Sequence, residues 1–163
     1  MAIWQDKNGT LWDDMDGEAI GTPSWPEGMT KLTDAQVAAA RAPSLAQEQA
    51  AQAAAMALAY QAAISAPVSF TTSGKVAKTY QADAQSRQNL SDMIAACAGA
   101  GATPAGFYWV AADNTQVPFT YADLQGLAAA IGAQGWASFQ RLQAANAAIA
   151  AATSVSAAQA VAF

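Results

Sequence analysis

The clearest candidate for chemistry is a short acidic run, Asp13–Glu18, that has a glycine near its end. Carboxylates around a glycine are typical of calcium-binding loops, where the glycine makes a sharp turn. Aligning this glycine with the one in such a loop puts Asp14 and Asp16 at ligand positions. The first ligand position then falls on Trp12 and the last on Pro23, where a bidentate Glu is required. We therefore interpret the run as a solvated acidic turn.

The rest of the chain offers few candidates for catalysis or metal binding, and we predict neither enzyme activity nor a cofactor. There is no His, and the single Cys, Cys97, lies in an apolar run that favours a buried, inert thiol. The commonest general base and the usual zinc ligands are therefore lacking. Five acids lie beyond residue 34: Glu48, Asp83, Asp92, Asp113 and Asp123. Most of them occupy positions typical of helix starts and turns, and we expect no glycosidase-like carboxylate pair among the five.

The charge distribution indicates which partners to expect. The net charge is −5, and all of it comes from residues 1–34, where seven acids outnumber two lysines. The remainder holds five acids and five bases, so the sequence has no basic patch for nucleic acid. No stretch of about 20 strongly apolar residues occurs, and the N-terminus lacks the features of a signal peptide. We therefore expect synthesis in a cytoplasm, no membrane span and no nucleic-acid partner.

Residues 1–31 are predicted to form a small β-hairpin module. Two β-prone segments flank Asn8-Gly9, the strongest short signal for a hairpin, because a type I′ turn needs positive φ at both central residues. The module also carries three of the five Trp residues, Trp4, Trp12 and Trp25. So small a module can hardly bury three Trp side chains by itself. We therefore predict that they pack against a helix or a partner, and that the module serves for attachment.

Residues 32–66 are predicted to form an Ala-rich helical connector. Capping-box patterns begin at Thr33 and at Ser44, and the second opens a helix that continues until shortly before Pro67. Three of its few large side chains are spaced four residues apart and share one side of the helix. They are Met56, Tyr60 and Ile64. Because such a helix buries little in a single copy, we predict that these side chains contact a partner or a second copy of the chain.

Residues 67–163 are predicted to form a compact α+β domain with two β-hairpins and three helices. The hairpins are centred on Ser73-Gly74 and on Ala112–Asn114. The two longer helices begin at Asp83 and Thr120, whose side chains are favourable N-caps, and a short helix ends the domain. The fold expected for the whole chain is therefore helix-rich α+β.

Apolar residues at helical spacing predict the buried side of the last long helix. They are Leu124, Leu127, Ile131, Phe139, Leu142 and Ile149. Trp109 and Trp136 are also predicted core residues. Gly126, Gly132 and Gly135 are potential bends or breaks in the same helix.

Two blocks, Asp83–Leu90 with its pair Ser86-Arg87 and Trp109–Asp113, are the most specific patterns in the second half of the chain. They stand in order with less specific blocks. Those blocks are Val68–Phe70, Val117–Leu124 and Ala144–Ile149. This order resembles a family of uncharacterised domains found in bacteriophage and prophage tail proteins, beside tail-fibre genes. None of the blocks is a catalytic motif.

The resemblance implies a non-enzymatic structural component of the virion tail that acts by contact with the tail fibre or another tail protein. One alternative is a cytoplasmic tail-fibre assembly chaperone that is not retained in the virion. Lower-ranked alternatives are a receptor- or glycan-binding tail module and an enzyme acting on host surface glycans. Arg87 is the only cation in the block Asp83–Leu90. We expect it either to contact the fibre or to pair with Asp83, four residues earlier on the same helix.

Overall fold

A computed structural model describes residues 2–14 and 27–163 of the chain. The chain divides into two compact units, residues 1–44 and 45–163, which are described separately. Over the described residues the fold is α+β, with 53% helix and 15% strand, which confirms the helix-rich α+β class expected from the sequence. Trp25 and most of the acidic run at residues 13–18 lie outside the described residues.

The N-terminal unit combines a three-stranded antiparallel sheet with a short helix. Strands β1 (Ala2–Gln5) and β2 (Leu11–Asp14) form the predicted hairpin, and β3 (Thr30–Lys31) pairs with the other edge of β1. Helix α1 (Asp34–Arg41) begins at the predicted capping box, in which the Thr33 hydroxyl accepts a hydrogen bond from the third helical amide. Local sequence signals thus place both the hairpin and the helix.

The C-terminal unit contains two long helices, two shorter ones and two β-hairpins. In chain order its elements are α2 (Leu45–Ser65), β4 (Val68–Thr71), β5 (Ala77–Tyr80), α3 (Ala84–Cys97), β6 (Tyr108–Val110), β7 (Gln116–Pro118), α4 (Tyr121–Ala151) and α5 (Val155–Gln159). The hairpins and helices predicted for residues 67–163 are present, and α2 belongs to the same unit. The finer division at residues 31 and 66 remains a prediction. None of the described helices is long and apolar enough to cross a membrane.

The three hairpins of the described chain turn through the same kind of five-residue loop. In each, the first and fifth residues pair, the fourth amide donates to the first carbonyl, and the fourth residue has positive φ. This is a type I turn followed by a left-handed residue, with φ of 86° at Gly9, 64° at Lys75 and 62° at Asn114. The type I′ turn predicted at Asn8-Gly9 is therefore wrong, because only the glycine has positive φ. In the second hairpin Lys75, rather than Gly74, takes the left-handed position.

The main core lies where the two hairpins and helix α3 pack against the first half of α4. Tyr80 and Phe119 lie inside it with ring centroids 5.2 Å apart, and Phe70 packs edge-on against Tyr80. Helix α4 contributes Leu124 and Leu127, both fully buried, on the apolar side that the sequence predicts. The three glycines of α4 do not break it, because the helix is continuous over 31 residues.

The two long helices α2 and α4 run antiparallel and close each other's C-terminal ends with Gln amides. Gln134 of α4 donates to the carbonyls of Ala63 and Ala66, both at 2.8 Å. Gln49 of α2 donates to the carbonyl of Ile149 at 2.9 Å and to that of the α4 C-cap residue at 3.2 Å. The last carbonyls of a helix have no partner within it, so each of these helix ends depends on the other helix.

A smaller core lies between α2 and the second half of α4. It contains Met56, Ala145 and Ile149, with Val161 and Phe163 from the C-terminal segment packed against it. The buried positions of α4 in this half are small or aliphatic, because the Ala-rich α2 approaches closely and leaves little room.

The prediction that Trp136 belongs to the core is wrong. Trp136 is 61% exposed and Phe139 is 39% exposed, whereas Trp109 is half-buried against the main core. On α4 the buried positions recur at a spacing of seven, at Ile131, Ser138 and Ala145. Trp136 falls out of phase with that series and therefore points away from α2.

The hydroxyl of Tyr80 is buried with no hydrogen-bond partner among the described residues. Burial raises the pKa of this hydroxyl, and the charges of Asp123 and Asp113 raise it further. A buried, unsatisfied hydroxyl costs about 1–3 kcal/mol. We therefore predict that Tyr80→Phe raises the free energy of unfolding by about 1 kcal/mol in urea denaturation. Tyr108→Phe, at an exposed position, serves as the control, and a loss of stability in Tyr80→Phe would contradict the prediction.

Candidate functional site

Large apolar side chains stand in solvent on the two long helices. Leu58 on α2 is 73% exposed, and on α4 Trp136 and Phe139 are 61% and 39% exposed. The two rings stack with centroids 5.8 Å apart, because positions three apart lie on the same side of a helix. We call the exposed side of α4 that carries Trp136 and Phe139 the aromatic face. Exposed aromatic side chains on a rigid helix are typical of protein-contact surfaces.

The aromatic face is almost free of charge. From Leu124 to Ala151 the only charged residue is Arg141. Helical neighbours of the two rings on the same side, such as Gly132 and Gln143, are exposed and small or neutral. Removing such a surface from water requires little desolvation of charge. The sequence-based reasoning missed this surface because it assigned both aromatic residues to the core, although the seven-residue spacing of the buried positions excludes Trp136.

The three α2 side chains predicted to contact a partner lie on the side of the helix that packs within the unit. Met56 is 7% exposed and packs against Ala145 and Ile149. Tyr60 and Ile64 are half-buried on the same side. The exposed side of α2 is the opposite one, and its largest side chain is Leu58.

Arg87 is held within the unit by backbone carbonyls. Its guanidinium donates to the carbonyl of Ile64 at 2.8 Å and to that of Ala82 at 2.6 Å. Ile64 lies in the last turn of α2, so the cation stabilises the negative end of that helix. Asp83 caps α3 instead of pairing with Arg87, because its carboxylate accepts from the amide and hydroxyl of Ser86.

Replacing Arg87 tests this anchoring role. We predict that Arg87→Met lowers the free energy of unfolding by about 2 kcal/mol, because two carbonyls lose a charged donor. Arg87→Lys keeps the charge but not the planar fork, and we expect it to recover about half of the loss. Thermal or urea denaturation measures both, with the exposed Arg141→Met as the control. If Arg87→Met were as stable as wild type, the two carbonyl contacts would not be an anchor, and the guanidinium of the wild-type protein would be available to a partner.

The N-terminal sheet presents a cross-strand pair of the predicted contact residues, Trp4 and Trp12. Trp12 is 36% exposed and Trp4 is half-buried. The indole of Trp12 donates to Asp6 at 3.4 Å, and the same carboxylate accepts from the amides of Asn8 and Thr10. The bond from the Thr10 amide contributes most to lowering the pKa of Asp6. The hairpin therefore holds this pair in place, and its contact with a partner remains a prediction.

A groove of about 440 Å³ lies between strand β6 and helix α3. We call it the β6 groove. Its strand side is formed by residues 107–112 and Asn114, and its other side by Ser86, Asn89 and Met93 of α3 and by Gln81, which precedes that helix. None of these lining residues is charged, although three of them carry side-chain amides. The groove can therefore hold a neutral ligand by hydrogen bonds and apolar contact.

Asp123 is a buried acid, 4% exposed, at the start of α4. It accepts hydrogen bonds from the amide and hydroxyl of Ser73 at 2.6 and 3.0 Å, and from those of Thr120 at 2.9 and 2.7 Å. Burial raises its pKa, but these hydrogen bonds outweigh burial and lower it. Asp123 is thus a cap whose oxygens are occupied. Within residues 2–14 and 27–163, no group of three or more acid, Cys or His side chains could hold a metal ion.

A family model described as "Domain of unknown function (DUF4376)" matches residues 46–163. The chain belongs to this family. The match begins in the first turn of α2, so the DUF4376 domain spans nearly all of the C-terminal unit. The aromatic face, Arg87 and the β6 groove lie inside the DUF4376 domain, whereas Trp4 and Trp12 lie outside it. No curated protein and no solved structure matches the chain.

Proposed function

We propose that this DUF4376 protein is a non-enzymatic structural component of a bacteriophage tail that contacts the tail fibre or another tail protein. The observation that carries the proposal is the aromatic face, on which stacked Trp136 and Phe139 stand in solvent. The order of sequence blocks around Asp83–Leu90 and Trp109–Asp113, which resembles phage tail domains, supports the class of partner.

The aromatic face has the physical properties of a contact site. Trp is among the residues that contribute most to binding when they enter a partner's pocket. Its ring is already ordered by stacking on Phe139, so less side-chain entropy is lost on binding. The long helix beneath the rings is anchored at both ends, at the Thr120 cap and by Gln49. A partner therefore meets a preformed surface.

Mass spectrometry of purified phage particles tests the proposal. We expect the chain to be present at a fixed copy number relative to the fibre protein. Absence from particles, together with co-purification with the fibre protein from infected cells, would instead favour the assembly chaperone. Absence from both preparations would overturn the tail assignment altogether.

Variants of the aromatic face identify the surface involved. We expect Trp136→Gln combined with Phe139→Gln to lower co-purification with the fibre protein or incorporation into particles by about tenfold or more. Gln143→Ala, on the same side of α4, is the matched control and should have little effect. Trp12→Gln tests the N-terminal pair separately, because a loss confined to that variant would move the contact to the N-terminal unit.

A further inference from the structure

Strand β6 has an unpaired edge that forms the floor of the β6 groove. The amide of Phe119 donates to the carbonyl of Phe107, and that of Ala111 donates to the carbonyl of Thr115. Odd-numbered residues of β6 therefore bond to β7, and the even-numbered Tyr108 and Val110 direct their backbone groups the other way. Outside the β6–β7 ladder, no backbone hydrogen bond within residues 2–14 and 27–163 involves the amides or carbonyls of these two residues.

The position of Ala112 confirms which way this edge points. Its amide, two residues after Val110, donates to the carbonyl of Thr79 at 2.8 Å. The end of β5 thus covers the edge at Ala112, just beyond the end of β6, and leaves the edge at Tyr108 and Val110 open. The two open amides are about 7 Å apart along the strand.

The opposite edge of the same sheet is protected, whereas the edge in the groove is not. Pro118 of β7 lies opposite Tyr108, at a position where an amide would point out of the sheet. Proline has no amide hydrogen, and natural proteins often block exposed strand edges with proline or charge. Neither proline nor a charged residue occurs between Phe107 and Ala112. The hairpin is therefore closed to a further strand on one side and open on the other.

We infer that the β6 groove binds an uncharged, extended peptide segment of a partner protein, which adds to the sheet as a third strand beside β6. The repeat of open amides and carbonyls at a two-residue spacing matches an extended backbone, and a saccharide ring has no such repeat. The other wall of the groove supplies Asn89 for hydrogen bonds and Met93 for adaptable apolar contact. With no charge in the lining, a charged segment would lose hydration without gaining a partner.

Substitution at Val110 separates backbone pairing from side-chain contact. Val110→Pro removes the amide that points into the groove, whereas the bonds to β7 use the neighbouring odd-numbered residues. Proline is tolerated on an edge strand when its nitrogen faces away from the paired neighbour. Val110→Thr keeps the amide and the β-branched shape, so it is the matched control.

The test uses the full chain and a library of random decapeptides in mRNA display. Peptides selected on the wild-type protein are measured against Val110→Pro and Val110→Thr. We expect enriched peptides to be uncharged and rich in β-branched residues. We expect them to bind Val110→Thr as well as wild type and to bind Val110→Pro about tenfold more weakly. NMR should then show slowed hydrogen exchange at the Tyr108 and Val110 amides in the complex. A circular dichroism spectrum of Val110→Pro like that of wild type shows that the fold is retained.

Other outcomes overturn the inference. A selection that yields no binders, or only binders that are indifferent to Val110→Pro, would mean that β6 does not accept a strand. Shifts of groove resonances on titration with glucose, galactose or N-acetylglucosamine, without protection of the two amides, would assign the groove to a saccharide. The inference stands apart from the proposed tail function, because Trp136→Gln should leave peptide binding unchanged whether or not that function holds.

Discussion

Asp123→Ala is expected to lower the free energy of unfolding by about 4 kcal/mol, the largest effect of any single substitution proposed for this chain. The carboxylate caps α4 and also holds the turn between β4 and β5, through four hydrogen bonds from Ser73 and Thr120. Removing a buried charged acceptor leaves two amides and two hydroxyls unsatisfied at once. Urea denaturation at neutral pH measures the loss.

The same residue sets a pH dependence with a definite sign. Because the folded state lowers the pKa of Asp123 below its ordinary value of 3.8, the unfolded chain takes up a proton first as the pH falls. The stabilisation is therefore fully present above about pH 5 and is lost progressively as the pH falls through 3.8 and then through the folded-state pKa. The difference in stability between wild type and Asp123→Ala should shrink over that range.

Two further variants make the Asp123 result specific. Asp123→Asn keeps one acceptor oxygen and should lose about half as much stability as Asp123→Ala. Asp92→Ala removes an exposed acid on α3 and should change the free energy of unfolding by less than about 0.5 kcal/mol. A difference between wild type and Asp123→Ala that does not vary between pH 7 and pH 2 would contradict the assigned charge state.

Gly126→Val is expected to lower the free energy of unfolding by about 3 kcal/mol. A Cβ atom at this position would lie 2.8 Å from Cζ and 2.9 Å from Cε2 of the Phe70 ring. That ring cannot withdraw easily, because it packs against Tyr80 and Phe119 with centroid separations of 6.4 and 6.1 Å. Overpacking of a core typically costs about 1–3 kcal/mol, and valine adds two methyl groups beyond Cβ.

Gly132→Val, on the same helix, is the matched control. Apart from the adjacent residues and backbone of its own helix, no atom lies within 4 Å of a Cβ atom built at Gly132, so the substitution meets open space. Valine is a somewhat better helix former than glycine, and we expect stability to rise by about 0.3 kcal/mol. Chemical denaturation of both variants should therefore give effects of opposite sign. Equal effects would mean that the Phe70 ring moves aside and that the main core has room for the added methyl groups.

Local signals in the sequence predicted where elements begin. Thr33, Asp83 and Thr120 cap helices as expected, because an N-cap depends only on a side chain and the next three residues. The sequence also predicted the positions of the hairpins, but it predicted the wrong type of turn at Asn8-Gly9. The positive φ of Lys75, 64°, is imposed by the pairing of the strands on either side of the turn, because lysine itself does not favour this conformation.

Contacts between distant parts of the chain were beyond such reasoning. The carbonyl partners of Gln134, Gln49 and Arg87 depend on how helices come together, and nothing in the neighbouring residues indicates them. The exposure of Trp136 required knowing which side of α4 faces α2. The open edge of β6, and α3 as the second wall of its groove, likewise follow from how the hairpin and the helix come together.

The mutual closure of α2 and α4 by Gln side chains also has a consequence for synthesis on the ribosome. Gln134 follows the Ala63 carbonyl by 71 residues, which at about 5–20 residues per second takes roughly 4–14 s to translate. During that interval a newly made α2 lacks the Gln134 cap and its packing partner α4, and most helical stability in proteins comes from such tertiary packing. A neighbouring nascent chain on the same messenger RNA carries an identical α4, on which this α2 could pack instead. Exchange of α2 between such chains, giving a domain-swapped dimer, is the misassembly that this architecture favours when translation of α4 is slowed.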